Sequence, residues 1–185
     1  MKKAFYLVLA IIGNGLGSAI MFQTHLGMSA WGTAAINLSN YLNIYLGLAF
    51  NIVAVAFYII ALILMKRFSI KEAVLSFAFS LSFGLFSDIF MYIIPDIPNN
   101  LLVVRSIVNI LGLLILLFGI AIHLRINLAV HPMDVYLGAV HKVMKSVAKG
   151  TYLAYFSAFF GGYDVLNTGA KEKKQLLVPF NTVAF

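Results

Sequence analysis

An all-α integral membrane protein is the fold class this sequence predicts, and three observations carry the prediction. Of the 185 residues, 62% are apolar and only 10% are charged, whereas a soluble domain carries roughly half apolar and a quarter charged residues. So few charges could not cover a water-facing surface of this size, which excludes a soluble enzyme, and disorder requires low hydrophobicity. The apolar residues are gathered in runs of about 20, the length that crosses a hydrocarbon core as a helix. The basic residues stand between those runs. The pattern reads as about five transmembrane helices plus two short amphipathic or re-entrant helices.

The first span runs from about Ala4 to Phe22, behind Lys2 and Lys3. A basic start before an apolar run also describes a signal peptide, and Gly17-Ser18-Ala19 has the small residues of a cleavage site. The apolar run continues past that point, so a retained span is expected. The second span is about Gly47 to Met65, closed by Lys66, Arg67 and Lys71. The third is about Ala73 to Ile94, closed by Pro95, Asp96 and Pro98, and the fourth about Leu101 to Leu124, followed by Arg125. A fifth, shorter one starts at Gly150 and fades at Gly161-Gly162.

Two stretches between spans are not ordinary loops. His25 to Tyr45 has no charge, and from Trp31 its apolar residues recur as Trp31, Ala34/Ala35, Leu38 and Leu42, which is helical spacing. Ser29 is the expected N-cap of that helix. Asn127 to Lys149 sets Met133, Leu137, Val140 and Met144 on one face and Asp134, Gly138, His141, Lys142 and Lys145 on the other. Pro132 suits its first turn, where a missing N–H costs nothing.

Thirteen Lys and Arg against six Asp and Glu leave a net charge of +7. No glycine-rich, aromatic-interleaved or zinc-ligand context accompanies them, so nucleic acid is not an expected partner. They read as topology-setting charges. With the N-terminus cytoplasmic, residues 25–45 fall outside, Lys66, Arg67 and Lys71 inside, the turn 95–100 outside, and Arg125, Lys142, Lys145 and Lys149 inside. Lys171, Lys173 and Lys174 break this rule, because a fifth span would carry them outside. The chain has no cysteine, which removes disulfides, thiolate metal sites and cysteine nucleophiles.

The order span, amphipathic segment, span occurs twice, and the halves overlay without gaps. Gly17-Ser18-Ala19-Ile20 meets Gly119-Ile120-Ala121-Ile122, Leu26-Gly27-Met28 meets Leu128-Ala129-Val130, Trp31 meets Met133 and Gly32 meets Asp134. Three spans separate the copies, and an odd number turns the second upside down, as in the inverted repeats of transporters. The expected division is 1–100 as the first repeat, 101–162 as a second, incomplete repeat and 163–185 as an irregular tail.

The segments Gly17 to Trp31 (Gly-Ser-Ala-Ile, then Leu26-Gly27-Met28-Ser29-Ala30-Trp31) and Leu128-Ala-Val-His-Pro-Met-Asp-Val135 make the chain resemble the YczE/YitT type of bacterial integral membrane protein. In that family the segment after the first span typically reads Leu-Gly-x-x-Pro-Trp-Asp. Here Leu26, Gly27 and Trp31 are kept, with Ala30 in place of Pro and Gly32 in place of Asp, while the second copy keeps Pro132 and Asp134. The resemblance covers about residues 5–160 and implies a sixth span mirroring the third. Gly161 to Phe185 has no apolar run long enough to supply one; a truncated or frame-altered C-terminus is the expected reason, and a different terminal segment docking at the surface is the alternative.

No hydrolase or kinase signature is present, and no enzyme activity or cofactor is expected. Gly13-Asn14-Gly15-Leu16-Gly17 superficially resembles a dinucleotide loop but lies inside a span with no preceding strand. Small residues at Ala10, Gly13 and Gly17 point instead to close helix–helix contact. Asn14 must then find a polar partner on a neighbouring helix. Asp88 lies within the third span, where an ionisable group costs a few kcal/mol and normally faces a bundle interior or aqueous cavity. Arg105 lies at similar depth on the fourth span. An Asp88–Arg105 ion pair, a proton- or substrate-coupled site at Asp88, and interfacial hydration are the three readings. His123 and Arg125 mark the inner end of the fourth span and read as interfacial. His131, Asp134 and His141 could share a helical face as metal ligands, but Lys142 and Lys145 disfavour a cation there, and no metal is expected. Asp134 reads as fixing the inner amphipathic helix or contacting substrate, and His25 has no evident partner.

The function these features predict is a small-solute transporter or permease of the cell (inner) membrane, multi-pass. Its expected substrate-contacting residues are Asp88, Arg105, Asp134, Trp31 and Asn14, around a pocket between the repeats. Lipid bilayer and a small polar or anionic solute are the expected partners, with a homo-oligomer left open. The rival reading is a non-transporting accessory or scaffold protein of a membrane complex.

Overall fold

A computed structural model describes residues 2–98, 100–126 and 130–156. They form α1 (Lys2–Gln23), α2 (Ala30–Leu42), α3 (Leu46–Met65), α4 (Ile70–Ile93), α5 (Leu102–Ile126) and α6 (Pro132–Met144), followed by a helical stretch at 147–156. Among the described residues there is no strand. Four of these helices, α1, α3, α4 and α5, are long and apolar enough to cross a membrane, and they coincide with the first four expected spans. The expected fifth span is helical over 147–156, and its remainder lies outside the described residues, as does the tail 163–185.

The bundle is built like a membrane protein, with bulk outside and small or polar groups within. Ile59, Ile63, Leu81, Leu85, Leu117 and Phe118 face outward, while Ala10, Ala19, Ala49, Ala54, Ser80 and Ser87 are buried. Lipid tails are as apolar as leucine, so helices in a bilayer associate through close packing and interhelical hydrogen bonds. α1 meets two neighbours through its glycines. Gly17 faces Gly112 and Leu116 of α5 so closely that a Cβ would lie 2.6 Å from the Leu116 amide nitrogen, and Gly15 faces Phe86 and Ser87 of α4. The pairing of Gly13 with Gly119 and of Gly17 with Gly112 makes α1 and α5 antiparallel. α3 packs on α4 and carries both short helices, α2 and α6.

The two short helices begin where expected. Ser29 Oγ accepts from the Gly32 amide, and Pro132 opens α6 behind His131, whose side chain accepts from the Met133 amide. Each has 13 residues, they start 102 positions apart, and each ends at a left-handed residue, Asn43 or Lys145. Their burial departs from the amphipathic expectation. In α2, residues 32–37 are buried all round while Tyr41 and Leu42 are exposed. In α6, Tyr136 and Ala139 join Met133 and Val140 in the interior, and Met144 is exposed. Burial follows distance from the helix start because the start is inserted among the spans. Met28 and Met133, at the two starts, share one apolar cluster with Phe50, Phe79, Phe83 and Leu116.

The short helices leave the centre in opposite directions. Trp31 in the first turn of α2 meets Phe57 in the middle of α3 at 4.8 Å between ring centroids, and α2 ends just before Leu46, where α3 starts. Tyr136 of α6 meets the same Phe57 at 4.9 Å. Ala139 and Val140 then pack with Ala61, Leu64 and Met65, toward the other end of α3. A 13-residue helix is about 20 Å long at ~1.5 Å per residue, too short to cross a core of about 30 Å alone.

Candidate functional site, a buried polar chain between three helices

Asn14, the polar residue of the glycine-rich stretch of α1, finds its partner on α5. Its Nδ2 lies 3.3 Å from His123 Nδ1. Gly119, one turn before His123, makes the approach possible, because a Cβ there would collide with Asn14 Oδ1 and the Ala10 carbonyl. On the other side of the ring, His123 Nε2 lies 3.1 Å from Asp134 Oδ2 in the first turn of α6. An amide Nδ2 can only donate, so this contact suits the tautomer in which His123 Nδ1 accepts and Nε2–H faces Asp134. The carboxylate also sits where a helix N-terminus is electropositive. One hydrogen-bonded chain thus ties α1, α5 and α6 together.

His123 is 1% exposed and covered by the Phe79 ring at 4.9 Å. This corrects the interfacial reading of that residue: Asn14, Phe79 and Asp134, from α1, α4 and α6, enclose the ring. Only sequence-distant contact produces the site, since His123 is 109 residues from Asn14. The one sequence signal was Asn14 itself, a buried amide that required a partner.

His131 stands beside this chain, edge-on to Phe79 and Phe83 at 5.7 Å. Its Nδ1 accepts from the Met133 amide at 3.3 Å, which leaves the proton of the neutral ring on Nε2, a buried atom with no hydrogen-bond partner among the described residues. Burial pushes its pKa down to about 4, so the ring is neutral near pH 7. His141 does not converge with His131 and Asp134: its Nε2 lies 2.9 Å from Thr151 Oγ1. Among the described residues, no group of three or more His, Asp or Glu is arranged around a common point that could hold a metal.

Trp31 lies among Phe57, Tyr136 and Tyr155, a ring cluster that joins the starts of the two short helices to α3. Asp88 and Arg105 are not brought together, a correction to the expected ion pair. Asp88 Oδ1 accepts from the Gly47 amide at 2.8 Å, in the first turn of α3. Arg105, buried on α5, donates through Nε to the Thr24 carbonyl just past the end of α1. Each charge therefore answers the dipole of a different helix end, negative at an N-terminus and positive at a C-terminus. His25, without an evident partner in the sequence, pairs with Asp96 at 3.3 Å on the surface.

Spanning apolar helices, small-residue interfaces and a buried polar chain define a polytopic helical membrane protein. The chain belongs to the family of unknown function DUF6198, whose model matches residues 1–160. Comparison with curated proteins and with solved structures returns no match, and nothing found supports the YczE/YitT name that the motifs raised.

Proposed function

We propose that the protein is a small-solute transporter or permease of the cell (inner) membrane, built as an inverted repeat with its N-terminus cytoplasmic. The observation that carries this reading is the meeting of α2 and α6: both start at Phe57 in the middle of α3 and run to opposite ends of it. Discontinuous helices that meet near the midplane let a membrane protein present backbone N–H groups to a solute without exposing them to lipid. Matching lengths, matching caps and the antiparallel run of α1 and α5 support the repeat. In this reading the first repeat is 1–100 and the second begins at 101.

The solute site is lined by Asn14, Trp31 and Asp134, and its ligand is a small polar or anionic molecule. Asp88 and Arg105 stand outside it, at the ends of α3 and α1. The test is a thermal-stability screen of the purified protein against a metabolite library, followed by uptake of each hit into proteoliposomes. Saturable stabilisation and uptake, both weakened in Trp31→Ala and retained in Gly138→Ala, are expected. Hits that stabilise the protein but never accumulate in the vesicles would overturn transport.

A further inference from the structure

The polar chain contains one atom that its geometry leaves unserved. Asn14 Oδ1 is buried, in a residue only 4% exposed, and has no hydrogen-bond partner among the described residues. Leaving a buried acceptor unpaired is costly, because its lost hydration is not replaced. The same amide spends its Nδ2 on His123 Nδ1. An Asn carboxamide has nearly the same shape in its two orientations, so a half-turn exchanges Oδ1 and Nδ2 within the same space.

We propose that His123 is a proton-binding site and that the Asn14 carboxamide is its two-position reporter. In the arrangement the structure shows, Nδ2 faces His123 Nδ1 and Oδ1 has no hydrogen-bond partner among the described residues. When a proton from water adds to the lone pair of His123 Nδ1, that atom becomes a donor and can no longer face Nδ2. The amide turns over, Oδ1 accepts from Nδ1–H, and the imidazolium lies between an amide oxygen and the Asp134 carboxylate. Both bonds are then charge-assisted, and the net charge of the His123–Asp134 pair goes from −1 to zero. The displaced Nδ2 arrives beside the Ala10 carbonyl, which shares the Gly119 face with Oδ1. Ala10 is four residues before Asn14, and the same four-residue step already carries the bond from Asn51 Nδ2 to the Gly47 carbonyl at 2.7 Å in α3. The protonated state therefore gives the Asn14 oxygen a donor, which the neutral state lacks.

The surroundings confine the event to this ring. From α6 the titratable groups that face it are Asp134, in direct contact, and His131, which shares the Phe79 ring with it. α1 contributes the uncharged Asn14 and α4 contributes Phe79. Arg125, on the same helix, is exposed. Because Asp134 belongs to the first turn of α6, the proton acts on the start of the short helix that converges on Trp31. The inference stands whether or not the protein transports a solute.

The test uses the full-length protein with ¹⁵N-labelled histidine and asparagine side chains in lipid nanodiscs, its four histidines assigned by single replacement. Ring ¹⁵N shifts distinguish a bare from a protonated nitrogen. The expected result is that His123 starts with Nδ1 bare and Nε2 protonated, becomes protonated at both on acidification, and that the Asn14 amide signal moves with the same midpoint. In Asn14→Asp, a carboxylate that can only accept replaces the amide, and the ring ¹⁵N signal of His123 Nδ1 should already read protonated at the starting pH. If that variant does not fold, the wild-type amide signal alone decides. A His123 that stays singly protonated throughout the folded range, or an Asn14 signal that does not follow it, overturns the proposal.

Discussion

Asp88 on α4 accepts a hydrogen bond from the Gly47 backbone amide of α3 at 2.8 Å. Tyr45, the residue in the capping position of α3, makes no side-chain cap, so the carboxylate from the neighbouring helix does that work. The approach needs both glycines at the crossing: a Cβ on Gly47 would strike the Gly84 carbonyl and Asp88, and one on Gly84 would strike Asn51 and the Gly47 carbonyl. Asn51 and Ser80 extend the polar contact, with Ser80 Oγ donating to Asn51 Oδ1 at 2.7 Å.

Asp88→Asn keeps an acceptor for the Gly47 amide and should change stability little. Asp88→Leu leaves that N–H without its partner and should cost about 1–3 kcal/mol. The double variant Asp88→Leu with Arg105→Leu should show the sum of the single effects to within about 0.5 kcal/mol, as for uncoupled sites. A coupling well above that in a double-mutant cycle would restore the ion pair.

The contact of α1 with α5 leaves no room for a methyl group. In Gly17→Ala the new Cβ would lie 2.6 Å from the Leu116 nitrogen and 2.7 Å from the Gly112 oxygen, both backbone atoms. The helices must separate, at a cost of about 1–3 kcal/mol typical of overpacking. Gly138→Ala, where nothing among the described residues lies within 4 Å of the new atom, should instead gain up to about 1 kcal/mol from helix propensity. Melting temperatures of the two variants should fall on opposite sides of the wild type.

Acidification should destabilise the protein partly through His131, which lies between α5 and α6, outside the four spans. Its folded-state pKa is lowered from 6.5 to about 4 by burial. Between those values the unfolded chain binds a proton that the folded chain does not. Its stabilising contribution is therefore complete above pH 6.5 and lost as pH falls toward 4, up to about 3 kcal/mol. His131→Asn keeps an N-capping side chain and removes the titration. The pH slope of its melting temperature between pH 6.5 and 4 should be shallower than that of the wild type, and equal slopes would refute the assignment.

If α2 and α6 leave the midplane toward opposite faces, their far ends lie on opposite sides of the membrane. Single cysteines are informative in a chain that has none, and Tyr45 and Lys142 are both exposed. With the N-terminus cytoplasmic, Tyr45→Cys should react with an impermeant maleimide in intact cells and Lys142→Cys only after permeabilisation. Equal reaction of both in intact cells would contradict the inverted arrangement.

Composition and periodicity by themselves determined the all-α membrane class, the first four spans, the two short helices, the Ser29 cap of one and the place of Pro132 in the first turn of the other. These follow from local rules: about 20 apolar residues reach across a bilayer, and an N-cap is decided within a few residues. The need of Asn14 for a partner was equally legible, since burying an amide with no hydrogen bond at all is costly. Its partner was not, because His123 is 109 positions away and is buried by side chains from three other helices, α1, α4 and α6. Asp88 and Arg105 looked like a pair because depth in two spans says nothing about which faces meet. The glycines decide that: Gly47 and Gly84 turn Asp88 toward α3, while Gly13, Gly17, Gly112 and Gly119 press α1 against α5, with Arg105 at the end of α1. Helix length is a property of the local chain, whereas facing is a property of the packed bundle, and it is facing that assembles the Asn14–His123–Asp134 chain.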